Sequence, residues 1–393
     1  MKEEDLSNLI YGFLFKHKYR NENLGKMMGV QAHTISRWKH KRRYPTAERK
    51  EKMLSSIKSK GDSLEQLIEL GMKVKNSLFF KGEFLDKNKA VSRSEMKGKL
   101  ILRKSGEAFL NTFMLFPNSY EGKEIKFFLS NSKEFIVFYE NQNMENPFPL
   151  KLPNLIKIDD NFLVGLGIWI AEGTKTNRKP KVTNSEPKIV KKSIEFFEHI
   201  GITQDKLNGW IQVHPRSEFS KNNKILKSFW LNITGFKNSQ IANVVVKKDT
   251  SKIKRNKVKQ MGTFQMECNL VLAKLLIKGL VQNTEKILCE VNGKELSFLQ
   301  GLVAGEGWCG KSKWGSVNEI TITLKDRRWR KLVLHLLGKF DLRVKENEID
   351  NDITITGFDN FEKIHRLNLF EYLPPMKERF ESGFRNLQEN LIK

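Results

Sequence analysis

The spacing of apolar residues changes several times along the chain, and each change marks a region. Over the first 75 residues the spacing is helical: Leu24 and Met28 lie four apart, Gly29 interrupts, and Val30, Ile35 and Trp38 follow. Leu64, Leu67, Ile68 and Leu70 extend an amphipathic helix expected over residues 50–75. From Leu78 to Tyr139 the period shortens toward two, predicting strands at 99–102, 109–115, 123–129 and 135–139 with turn signals between them. Pro147, Pro149 and Pro153 mark residues 143–154 as a linker. Beyond Ile156 the two periods alternate. Helices are expected at 187–199, 223–231, 270–280, 327–339 and 360–367, and strands at 181–183, 210–214, 242–247, 262–268, 319–324, 342–345 and 352–356.

Two apolar runs break this alternation, GLGIWIAEG at 165–173 and LQGLVAGEG at 299–307. Each reads as a helix with small residues four apart (Gly167 and Ala171, Gly301 and Gly305), then a glutamate and a glycine. Glycine inside a helix costs about 1 kcal/mol relative to alanine, so its presence calls for a compensating close approach. Crossing along the small faces supplies it, and brings Glu172 opposite Glu306 with Gly173 and Gly307 as expected left-handed caps. Two carboxylates at the negative ends of two helix dipoles repel each other, and a hard divalent cation relieves the conflict. One such run alone fits a buried helix whose glutamate marks its end. The repeat, with Glu306 standing 134 positions after Glu172, favours the paired reading.

Both runs resemble the LAGLIDADG motif, the second with Phe298 in front being the nearer match. The chain as a whole is similar to single-chain, two-motif LAGLIDADG homing endonucleases. It departs from the pattern in having glutamate where aspartate is usual, and apolar Ile170 and Ala304 at the first acidic position. The resemblance implies an α+β fold of tandem pseudo-two-fold αββαββα repeats, at 156–283 and 284–393, whose sheets form a saddle along DNA. It implies Glu172 and Glu306 as ligands of Mg²⁺ or Mn²⁺, with Asn184, Lys325 and Lys377 as assisting residues by their positions after the motifs. Thr321, Thr323 and Thr354, alternating with isoleucines, and Lys181 are expected on the DNA face; an ordinary sheet with one wet face predicts the same alternation.

Residues 23–38 resemble the DNA-binding helix-turn-helix of many regulators, placing an all-α domain at 1–75 ahead of a small β-rich domain at 76–142 and a linker at 143–155. The second helix would offer Gln31, His33, Thr34 and Arg37 to a groove, and Lys39, Lys41, Arg42 and Arg43 to phosphates.

Charge sharpens the choice of partner. Lys+Arg 70 against Asp+Glu 45 gives a net charge of +25, which suits a polyanion. The densest basic stretch, 247–259, includes Lys254 and Arg255, two further candidate DNA contacts. No apolar run reaches membrane-spanning length, the acidic start MKEEDLSNLI is unlike a signal peptide, and the three cysteines have no zinc spacing. The sequence reading is therefore a cytoplasmic, monomeric, metal-dependent double-strand DNA endonuclease, free-standing or intron-encoded. Two other readings use the same features: a non-cleaving DNA-binding regulator on the same fold, and an RNA maturase acting on structured RNA.

Overall fold

The computed structural model describes residues 2–80, 82–129, 133–139, 149–174, 179–247, 259–291 and 293–392. The basic residues Lys254 and Arg255, and Lys175 and Arg178 after the first motif, lie outside them. The chain forms two compact units of mixed α and β structure: residues 1–92, 121–129 and 138–149, and residues 93–120, 130–137 and 150–393.

In the first unit, helices α1 (Glu3–Lys16), α2 (Asn21–Met28), α3 (Ala32–Lys39), α4 (Ala47–Lys58) and α5 (Leu64–Asn76) share one core around Phe13, Leu24, Ile35, Trp38, Met53 and Leu67. The turn from α2 to α3 passes through Gly29 at φ 65°, a left-handed conformation glycine adopts without a Cβ clash. The single helix expected over 50–75 is two helices. Gly61 at φ 74° breaks it, and Ser63 caps α5 by accepting from the Gln66 backbone N–H. Buried Asp62 fixes the break to the end of α1, accepting from Lys16 Nζ and pairing with His17 Nε2, each at 2.6 Å.

The chain continues through β1 (Ser77–Phe80), β2 (Glu83–Asp86), β3 (Val91–Ser92), β4 (Ile101–Lys104), β5 (Glu107–Asn111), β6 (Ser119–Tyr120), β7 (Lys123–Leu129), β8 (Glu134–Tyr139), β9 (Leu150–Pro153) and β10 (Leu155–Lys157). β9 corrects the linker expectation: Leu150 to Pro153 pair antiparallel with Val137 to Glu134, with the proline at the last strand position, where its missing N–H is tolerated.

The second unit is organised by α6 (Asp160–Glu172) and by α11 (Glu295–Glu306). Between them lie β11 (Lys181–Asn184), α7 (Pro187–His199), β12 (Leu207–Val213), α8 (Asn223–Thr234), β13 (Ile241–Val246), β14 (Thr263–Cys268), α9 (Val271–Gln282) and α10 (Thr284–Cys289). After α11 come β15 (Gly307–Lys311), β16 (Val317–Thr323), α12 (Arg327–Lys339), β17 (Val344–Asn347), β18 (Asp352–Ile355), α13 (Phe358–Leu367) and α14 (Pro374–Ile392). The two sheets run β11-β14-β12-β13 and β15-β16-β18-β17. Gly173 bridges Val182 as Gly307 pairs with Ile322, so β11, β14 and β12 correspond in order to β16, β18 and β17. The first sheet differs by an insertion, α8 with the edge strand β13, which runs parallel to β12. Strand alternation sets the layers: Leu207, Ile211 and Val213, like Ile320 and Ile322, are buried beneath the helices while the intervening side chains face outward. Strand β15 and helix α14 were not among the predicted elements.

Candidate active site

Helices α6 and α11 lie against each other along the predicted small faces. A Cβ on Gly167 would stand 2.3 Å from Phe298 O, and one on Gly301 would stand 2.1 Å from Val164 O. These contacts are counterparts under the 134-residue offset, so the crossing is symmetric within the chain. At its far end a Cβ on Gly305 would lie 2.5 Å from Ala171 Cβ and 2.9 Å from Glu172 Cγ. The Glu172 side chain therefore crosses the residue that immediately precedes Glu306. Both glutamates end their helices half-buried.

The glycines after them are not left-handed caps. Gly173 (φ −70°, ψ 153°) and Gly307 (φ −87°, ψ 140°) are extended and lead straight out of the helix into strand pairing. Their smallness serves a close approach instead: a Cβ on Gly173 would meet Trp169 O at 2.4 Å, and one on Gly307 would meet Val303 O at 2.5 Å.

Asn184, at the end of β11, donates from Nδ2 to Glu172 Oε1 at 2.7 Å and accepts the Glu186 backbone N–H on Oδ1 at 2.7 Å. The second bond fixes which amide atom faces the carboxylate. In the other half the register puts buried Leu324 at the matching position, and Lys325 is exposed one residue further on. The pair is thus asymmetric in its surroundings.

Lys377 is held by Glu371 (Nζ to Oε2, 3.0 Å), which also binds Lys188 Nζ at 3.1 Å and accepts from Asn368. Burial works against the Glu371 charge, but hydrogen bonds from Lys377, Lys188 and Asn368 outweigh it and hold the carboxyl at about 2. The folded value lies below the ordinary glutamate range near 4.3, so this contribution to stability is complete above that range and is lost as pH falls toward 2. Glu371→Gln is expected to flatten that acid limb, read from urea midpoints between about pH 4.5 and pH 2.5. A midpoint-versus-pH curve identical to wild type would remove Glu371 from this role.

On the second sheet Thr321 pairs with Thr354, and Thr323 with Asp352, on the face away from the helices. Trp308, opposite Thr321 and 46% exposed, shares that face and lies 5.9 Å beneath the Arg379 guanidinium. It went unpredicted, although a tryptophan two positions after the motif glutamate was a visible signal. On the first sheet Lys181 pairs with Glu267. In the first unit Gln31, His33, Arg37, Lys41, Arg42 and Arg43 are exposed and Thr34 is half-buried. Lys39 is not a surface residue: it is 1% exposed, with Nζ 4.5 Å from the Tyr11 ring centroid, and burial lowers its pKa to about 7. Its place on the Ile35, Trp38, Lys39 stripe, at helical spacing, accounts for this.

Two carboxylates present hard oxygen donors. Mg²⁺-type ions bind through one or two such groups and complete their shell with water and substrate phosphates. Among the described residues no cluster of three or more His, Cys, Asp or Glu side chains could hold a metal. The donor set fits an ion shared with a substrate rather than a closed structural site. Among the described residues no helix is long and apolar enough to cross a membrane.

No family profile matches the sequence, and no curated protein matches it. Among solved structures, I-DmoI in complex with DNA and Mn aligns at 15% identity over 53% of this chain and 96% of its own, with a TM-score of 0.24. Mesophilic variants of the homing endonuclease I-DmoI align at 15% identity over 53% and 94%, with a TM-score of 0.26. At these scores the likeness carries no argument beyond the strand order and helix contacts themselves.

Proposed function

We propose that the protein is a LAGLIDADG-type, metal-dependent endonuclease that cleaves double-stranded DNA, built from two pseudo-symmetric repeats and an N-terminal DNA-binding helix-turn-helix. The observation that carries the reading is the crossing of α6 and α11, which delivers Glu172 and Glu306 to one end of a symmetric helix pair. A cell that needed only a rigid core would not require acids there, where two helix dipoles disfavour them.

Glu172 and Glu306 would hold Mg²⁺ or Mn²⁺, which when bound polarises a phosphate oxygen and makes water a better nucleophile. The chain's own residues do the rest. Asn184 holds the Glu172 carboxylate in one orientation through its Oε1. The outward faces of the two sheets suit the major groove, which admits paired β-strands. Thr321, Thr354 and Lys345 lie on one such face, together with Trp308, two residues after Glu306. In the first unit, exposed Arg37, Lys41, Arg42 and Arg43 supply phosphate contacts beside the polar Gln31 and His33. Tethering this unit to the nuclease lengthens the recognised site and raises affinity through effective concentration.

The test is selective cleavage. Purified protein is incubated at low salt with a randomised duplex library and Mg²⁺ or Mn²⁺, and cut ends are sequenced. A discrete motif cut only with metal is the expected result. Sequence-selective retention without cut ends under either metal would overturn the nuclease and leave a DNA-binding regulator. Selection of folded RNA over duplex DNA would favour the maturase.

A further inference from the structure

The outward face of the first sheet is richer in carboxamides than that of the second, which presents Asn347. The registers place Gln212 of β12 beside Thr263 and Val245, Trp210 beside Gln265 and Asn243, and Thr183 beside Gln265. With Asn208, one position from buried Leu207 and Gly209, this face presents four carboxamides on three adjacent strands. Gln212 Nε2 donates to Gln265 Oε1 at 3.4 Å, so two of them already touch. Val245 stands 46% exposed on the same face. Among the described residues no strand of this sheet contains an arginine, and its one lysine, Lys181, stands opposite Glu267, which takes an ion pair from Lys179 Nζ at 3.9 Å.

These residue types discriminate between base pairs. Adenine offers an acceptor and a donor side by side in the major groove, which a carboxamide matches with its own donor and acceptor. Guanine offers two acceptors, which call for the paired donors of arginine or for lysine. Thymine adds a methyl group that aliphatic carbons can cover, the role open to Val245 and to the methyl of Thr183. The second sheet has one carboxamide beside its charges: Asn347 lies opposite Asp352, Lys345 is exposed beside Thr354, and Glu319 shares the same outward face, whereas the charges of the first sheet are confined to Lys181 and Glu267 at one end.

Resting on the endonuclease reading above, we propose that the first sheet reads A·T base pairs, so that the target is asymmetric, with an A·T-rich half-site under β11 to β14. The insertion bearing β13 widens this face by one strand, adding Asn243 and Val245 to it.

The experiment is a binding selection without cleavage. Wild type, Gln265→Ala and Gln265→Arg are each mixed with a randomised duplex library in EDTA, and retained duplexes are sequenced. Wild type is expected to enrich duplexes with one block of consecutive A·T pairs. Gln265→Ala should relax one or two positions within that block by about tenfold and leave the rest of the motif intact. Gln265→Arg should move the preference at the same position to G·C, a gain that a misfolded protein cannot produce. A motif whose Gln265-dependent positions are G·C in the wild type overturns the inference, as does uniform weakening by Gln265→Ala with no new preference from Gln265→Arg. Absence of any enriched motif with the wild type overturns the DNA-recognition reading itself, and this inference with it.

Discussion

Glu172→Gln and Glu306→Gln each abolish cleavage while the protein still binds its duplex as well as before, or more tightly. The substitution keeps size and hydrogen-bonding capacity and removes one negative charge. Disturbing only an outer-shell partner of a bound metal costs about 10- to 100-fold in affinity or activity, so loss of a ligand should exceed about 100-fold. Binding moves the other way, because a neutral side chain no longer repels the backbone phosphates. Cleavage of a selected duplex under single-turnover conditions, with binding by filter retention in EDTA, separates the two effects. If either variant cleaves within about tenfold of wild type, that glutamate is a helix-end residue and not a ligand. Loss of binding or of folding would mark it as structural. The two halves differ at one position: Asn184 bonds Glu172, and Leu324, the counterpart of Asn184, has no side-chain donor to offer.

The crossing pair was legible in the sequence because its two signals are local. Small residues four apart specify a face, and repetition of the same string specifies that the faces meet. The outward positions of β16 and β18 were legible for a similar reason, since isoleucines at every second position leave the threonines one side only. What failed depended on partners distant in sequence. Gly173 and Gly307 look like caps from their place after a helix, yet what they meet is the backbone of the preceding turn. Strand β15 begins in the motif glycine itself, and its residues GWCGK have no two-residue alternation to announce it. Helix α14 carried a readable sign in Phe380 and Phe384, both buried and four apart, behind Pro374 and Pro375 at its start. Lys39 was assigned to the surface by its charge, although helical spacing from Ile35 already put it on the buried stripe. The carboxamides of the first sheet escaped notice because each is unremarkable alone; only the register across β11, β14, β12 and β13 gathers them on one face.

The crossing also fixes the largest expected stability effect. Gly301→Ala should destabilise the second unit by about 3 kcal/mol or more, since the added Cβ would stand 2.1 Å from Val164 O. A backbone oxygen inside a helix cannot rotate aside, so the two helices must separate, and every contact along the crossing loosens with them. Gly338→Ala is the control. Gly338 lies in α12 with nothing within 4 Å of an added Cβ, so the same substitution there should add up to about 1 kcal/mol through helix propensity. Urea unfolding followed by a tertiary probe reads both changes, and the opposite signs exclude a general effect of replacing glycine. Gly167→Ala meets Phe298 O in the same way, so each single variant should be costly and the double variant less costly than their sum. Once one added methyl has parted the helices, the second finds room already made. Strict additivity would mean that the two contacts yield independently, and a neutral Gly301→Ala would mean that α6 and α11 do not pack as closely as described.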